Sequence, residues 1–256
     1  MRKIAISGKG GVGKSTLAAC MAYVYSERGS RVFAVDADPD GNLAAALGIP
    51  EDLARRIVPL SRMDELIYER TGAKPGAPGT FFRLNPRVDD LPEQLSVKYK
   101  GVELLVMGTV SAGGSGCVCP ESAMLRALVT HMTLHRDEVV ILDMEAGIEH
   151  LGRATASGVD AFIVVVEPGL RSIQTARTVS TLADDIGVKR ICVVGNKIRQ
   201  SSDRDFLAKH LDGFEILGFI PSLDAVIEAD LRGLSPYHSV PELAETVKPI
   251  VATLEA

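Results

Sequence analysis

Nine residues near the N-terminus of this 256-residue chain, GKGGVGKST from Gly8 to Thr16, constrain its fold more than any other segment. The pattern GxxxxGK(S/T) carries weight only where a strand runs into it and a helix leaves it. Both are written here: the apolar run Lys3-Ile4-Ala5-Ile6-Ser7 precedes the loop, and Leu17-Ala18-Ala19-Cys20-Met21-Ala22 follows it. Gly8, Gly10, Gly11 and Gly13 allow backbone conformations that a Cβ would obstruct. Successive N–H groups, that of Val12 among them, are therefore expected to converge on phosphate oxygens at the positive end of the helix. Lys14 then reaches the β and γ phosphates as a point charge, the Ser15 hydroxyl ligates the Mg²⁺ that bridges them, and Thr16 supports the α-phosphate.

The rest of the chain keeps the same rhythm. Strands expected near residues 2–7, 31–36, 102–107, 138–143, 160–166, 190–195 and 215–219 alternate with helical stretches, which predicts an α/β fold with a doubly wound, mostly parallel sheet. Ligands on such a sheet gather at the carboxyl ends of its strands. At 46% hydrophobic and 24% charged, the chain can bury one large core, so residues 1–256 read as a single domain. Between about residues 48 and 100 the rhythm weakens: Asp52–Arg56 and Met63–Arg70 read as helices, and 72–96 is rich in Pro, Gly and charge. That insertion reads either as a docking surface for a partner or as a solvated excursion.

Charge excludes some partners. The formal net charge is −5 and no dense Lys/Arg block occurs, which argues against nucleic acid. The last stretch, 241–256, carries Glu242, Glu245, Lys248 and Glu255, whereas a membrane-targeting helix is basic and more amphipathic, so no membrane attachment is expected. No signal-peptide pattern or apolar run of spanning length occurs, and Ala161–Val166 reads as a strand, so a cytoplasmic location is expected.

Two further segments offer chemistry. The apolar run Val139-Val140-Ile141-Leu142 ends in Asp143, as a buried parallel strand should when it delivers a carboxylate to a water on Mg²⁺. Ala146 and Gly147 then let the chain turn close to a γ-phosphate, with Glu149 and His150 beyond them. In GGSGCVCPES, Cys117 and Cys119 stand two residues apart in an extended stretch and project to the same side, where they can share one soft metal ion. Pro120 suits the first position of a helix running to about His135, which places Cys119 at a helix N-terminus and favours its thiolate. Two thiols make half a closed site; the pair reads otherwise as inert or as a regulatory disulfide. Cys20 and Cys192 sit in apolar runs and read as core thiols, and His131 and His135 as surface histidines.

Lys9, directly after the first glycine, is more than an ordinary phosphate loop needs. KGGVGKST resembles the deviant Walker A motif of the family that holds the MinD and ParA ATPases, the nitrogenase iron protein and metal-insertion ATPases. The resemblance implies that Lys9 acts in trans on the partner's nucleotide, so that ATP joins a homodimer. Asp36 to Asn42, ADPDGN after the strand-ending Asp36, resembles the family's first switch and implies that Asp38 orients the attacking water. Met144 to Gly152 resembles the second switch. Asn196, followed by Lys197, falls where the family places an adenine-reading asparagine. Phe219 to Asp224 resembles its later base-contacting loop, with Pro221, Ser222 and Leu223 in contact through backbone, because Leu223 stands where an acidic residue is common.

The family's dimer axis implies that Cys117 and Cys119 of two subunits meet at one interfacial ion. Met144–Gly147 lacks the second cysteine of the iron-protein layout. CVCPE together with DMEAGIEHLGR resembles instead the CooC family of nickel-insertion ATPases. This implies an enzyme that hydrolyses ATP to ADP with Mg²⁺, holds Ni²⁺ on four thiolates that suit Zn²⁺ equally, and serves carbon monoxide dehydrogenase as client. Two other readings stay open: an electron-transfer ATPase with a dimer-bridging iron–sulfur cluster, and a positioning ATPase of the MinD or ParA kind.

Overall fold

The computed structural model describes residues 3–38, 41–75, 81–108, 120–134, 138–144 and 158–256. Among them eight strands join one sheet: β1 Lys3–Gly8, β2 Val32–Asp36, β3 Val97–Tyr99, β4 Val102–Val106, β5 Val139–Asp143, β6 Ala161–Val166, β7 Ile191–Ile198 and β8 Glu215–Pro221. Their spatial order is β3-β4-β2-β5-β1-β6-β7-β8, and every pairing is parallel except that of β3 with β4. The doubly wound, mostly parallel α/β sheet is thus as the alternation of apolar runs predicts.

The central strands are apolar throughout because both faces are covered. Successive residues divide between two cores: Ile4, Ile6, Val32, Ala34 and Ile163 belong to one, and Ala5, Phe33, Val35, Phe162 and Val164 to the other. On the first face lie the helices Lys14–Glu27 and Pro241–Glu255, and on the second Pro120–Leu134, Leu170–Ile186 and Ser201–His210. Lys14–Glu27 is sandwiched between the sheet and the last helix, which explains why its sequence is apolar on nearly every side. Each fully buried Leu, Ile or Phe in such a core contributes about 1.5–3 kcal/mol.

Three expectations change. The short β3 is not evident from its half-exposed Val-Lys-Tyr; its hairpin to β4 turns on Lys100 and Gly101, both at positive φ. The insertion is not a solvated excursion throughout, since Leu60, Ile67, Val88 and Leu91 are buried in the second core while Phe81 and Leu84 remain exposed. The last helix is more amphipathic than its charges suggest, but its apolar residues Leu243, Val247, Ile250, Val251 and Leu254 are buried in the first core. Among the described residues no helix is long and apolar enough to cross a membrane.

Candidate functional site

The chain leaves β1 for β2 on one side, and from β5 to β6 it crosses to the other, so the carboxyl end of β1 is the point where the winding reverses. The glycine-rich loop stands there. Gly8 has φ +150°, and a Cβ on it would lie 2.5 Å from the Val165 carbonyl oxygen of β6. Gly13 has φ +100°, and its Cβ would lie 2.3 Å from Asn196 Nδ2. Gly10 departs from the expectation: its φ is not positive and a Cβ would meet nothing within 4 Å, so its conformation does not require glycine. The helix that follows has no side-chain cap and no acidic residue in its first turn, which leaves its N–H groups open to an anion.

Lys14 is buried at the first position of that helix, where the helix dipole disfavours a cation. Its Nζ lies 3.4 Å from Asp38 Oδ2, both side chains being nearly buried. The parallel register sets Asp36 of β2 beside Asp143 of β5, so two carboxylates enter the same low-dielectric layer. Burial pushes the Asp36 carboxyl up to about 6; the N–H groups of Leu43 and Asp38, at 3.1 and 3.3 Å, pull the other way. Burial pushes Asp143 up to about 7, opposed by the Ser15 hydroxyl and assisted by Asp36. Ser15 is near enough to exert that pull, yet among the described residues neither Asp143 oxygen has a partner within hydrogen-bond geometry. An orphaned, fully buried carboxylate beside a serine hydroxyl is a donor set that fits a hydrated divalent cation.

The opposite wall is built by β7. Its pairing with β8 slips by one residue between Gly195 and Ile198, a bulge that holds Lys197 at φ +57°. A left-handed lysine costs about 1–3 kcal/mol. Asn196 Nδ2 donates to the Val12 carbonyl at 2.7 Å, and Lys197 Nζ donates to the Gly11 carbonyl at 2.6 Å and pairs with Glu167 at 3.3 Å. The Ser222 N–H donates to the Ile198 carbonyl, which brings Pro221, Ser222 and Leu223 against the same strand end. Lys9 is half-buried on the loop and makes no ion pair among the described residues.

Sequence reasoning took Asp36 only as a strand end; here it also organises the Asp38 segment through two backbone N–H groups. It also missed a cleft of about 350 Å³ beside Asp36 and Asp38, closed on one side by Ile57, Pro59 and Arg62 of the insertion. Cys20 and Cys192 are buried, with the Cys192 thiol pushed up to about 12 by burial and by neighbouring Glu215, as expected of core thiols. His131 is half-buried on its helix. Cys117, Cys119, His135, Glu149, His150 and all of the second switch after Met144 lie outside the described residues. Among those described, no group of three or more His, Cys, Asp or Glu is placed to hold a metal ion.

A model of the CobQ/CobB/MinD/ParA nucleotide binding domain matches residues 3–237, and the chain belongs to this family. Within it the chain falls with the CooC type. It is 49% identical over 252 residues to the carbon monoxide dehydrogenase accessory protein CooC of Rhodospirillum rubrum, covering 98% of this chain and 95% of that one. An uncharacterized ATP-binding protein of Methanocaldococcus jannaschii is 47% identical over 234 residues, 90% of this chain and 89% of the relative. The fold is shared with a chain of the MinC:MinD cell division protein complex of Aquifex aeolicus (TM-score 0.71, 24% identity, 100% and 96% of the two chains). It is shared also with MinD of Pyrococcus horikoshii OT3 complexed with Mg-ADP (TM-score 0.67, 19% identity, 100% and 99%).

Proposed function

We propose that this chain is a homodimeric, cytoplasmic ATPase that takes up Ni²⁺ at its Cys-x-Cys segment and delivers it to carbon monoxide dehydrogenase. The observation that carries the nucleotide half is the buried Lys14–Asp38 pair beside the bare Asp143 carboxylate. The 49% identity to a carbon monoxide dehydrogenase accessory protein supports the delivery half.

Arriving phosphates take Lys14 from Asp38, which leaves that carboxylate to hold a water in line with the γ-phosphate. Backbone N–H groups from Gly8 to Gly13 and the Thr16 hydroxyl bind the phosphate chain, and Asn196, Lys197, Pro221, Ser222 and Leu223 border the base. Ser15, with Asp143 acting through a water, would hold Mg²⁺, which neutralises charge on the β and γ oxygens when bound. Lys9 of each protomer acts on its partner's nucleotide. Cys117 and Cys119 of both protomers supply four thiolates for Ni²⁺, a site Zn²⁺ also suits.

Asp38→Asn should lower ATP turnover by about a hundredfold with MgADP binding retained. Cys117→Ala should bind nucleotide normally and lose its nickel in anaerobic equilibrium dialysis. Equal nickel per chain in Cys117→Ala overturns the cargo site, and unaltered turnover in Asp38→Asn overturns the hydrolytic assignment.

A further inference from the structure

The bulge in β7 does something that the base-reading expectation for Asn196 and Lys197 does not contain. Both side chains end on carbonyl oxygens of the phosphate loop, 184 and 186 residues away in sequence. In a trans peptide the C=O and the following N–H point in opposite directions. With the Gly11 carbonyl turned out to Lys197, the Val12 N–H is turned inward, where its present acceptor is the Lys9 carbonyl at a long 3.3 Å. With the Val12 carbonyl turned out to Asn196, the Gly13 N–H is turned inward as well. Two consecutive peptide planes of the cradle are therefore fixed from behind. We propose that Asn196 and Lys197 form a clamp that aims the Val12 and Gly13 N–H groups at nucleotide phosphates, with Glu167 as its counter-charge.

Several features of the wall fit this role. Lys197 has its own N–H donating to Asn196 Oδ1 at 2.8 Å, so the left-handed residue and the amide before it fix each other. Glu167, just past β6, is tied by its N–H to the Ser172 hydroxyl, which anchors the counter-charge to the next helix. Gly13 is glycine where the amide passes, since a Cβ would collide with Nδ2. The one extra residue in β7 turns the Lys197 side chain back onto the loop, as a bulge beside a site can. Lys197 is thus a positioning residue, reaching phosphate only through the loop.

The clamp rests on the nucleotide-binding reading above, and its test separates phosphate from base. Lys197→Asn keeps a residue tolerant of positive φ and removes the ammonium. Calorimetric titration should show MgADP binding weakened by about tenfold, the loss of one charge-assisted hydrogen bond. Mg-tripolyphosphate, which has no base, should weaken in parallel, while the wild-type ratio of ATP to GTP affinity stays unchanged. Lys197→Arg should restore most of the affinity. Glu167→Gln, which leaves the bulge intact, should weaken MgADP by about twofold, the small effect of a half-exposed pair. Undiminished MgADP affinity in folded Lys197→Asn overturns the clamp, as does a loss that falls on purine selectivity and spares tripolyphosphate. If Lys197→Asn does not fold, full affinity in Glu167→Gln overturns it instead. Wild-type protein that binds no nucleotide would sink the nucleotide reading itself, a separate result.

Discussion

The two rims of the sheet treat charge in opposite ways. Along the amino ends, in spatial order from β4 to β8, stand Glu103, Arg31, Glu138, Lys3, Asp160, Arg190 and Glu215, with the sign alternating at every strand. Arg31 bonds Glu103 in a fork and reaches Glu138, the Lys3 N–H donates to Asp160, and Arg190 forks onto Glu215. At the carboxyl ends, Asp36, Asp38 and Asp143 cluster about Lys14, which pairs with Asp38, and among the described residues both Asp143 oxygens lack a hydrogen-bond partner. One rim is finished, its charges meeting partners from neighbouring strands. The other is left electrostatically incomplete, which is sensible only where a ligand supplies what is missing.

The contrast breaks first at Asp143. Asp143→Asn should weaken MgADP by tenfold or more, on the order of one lost charge-assisted contact. It should also raise the stability of the nucleotide-free protein by about 1 kcal/mol, since an uncompensated buried charge is removed. A denaturant melt showing net destabilisation would place that carboxylate among the satisfied groups.

Next comes pH. Asp143 and Asp36 titrate above the ordinary carboxylate value in the folded state, at about 7 and about 6, so between pH 4 and 7 the folded protein binds more protons than the unfolded chain. Stability from these groups is full below the unfolded value and is lost as pH rises through that window. Glu103 and Glu215 are lowered by their arginines, so their stability is present at neutral pH and lost only in acid. In metal-free, nucleotide-free protein, Asp143→Asn should therefore flatten the fall in stability from pH 5 to 7.5, followed by urea unfolding. The smallest effect belongs to the finished rim: Glu103→Gln should cost no more than about 1 kcal/mol, because Arg31 is well exposed, and should leave MgADP affinity unchanged.

Much of the incomplete rim was legible because its residues sit at strand ends. Asp143 closes an apolar run, and the GKS of Gly13 to Ser15 follows another, so local pattern alone puts them at one end of the sheet. The clamp was not legible, because its contacts join residues about 185 apart and depend on a one-residue slip between β7 and β8. Asp36 closes an apolar strand in the same way as Asp143, but its task was not legible, since nothing local reveals that Leu43 and Asp38 donate to it. The insertion misled for a compositional reason: Leu60, Ile67, Val88 and Leu91 are spread thinly among Pro, Gly and charge, and only the fold gathers them.

The ion pair between Lys14 and Asp38 has one more consequence. Lys14 is latched from within, so an anion that takes the lysine must displace a carboxylate already in place. A polyphosphate tail, which on the proposed function would engage the backbone amides and the lysine together, offers more oxygens for that exchange than inorganic phosphate or sulfate does. On the proposed function the latch favours a polyphosphate over a lone anion, and it occupies the Asp38 carboxylate until the nucleotide takes Lys14.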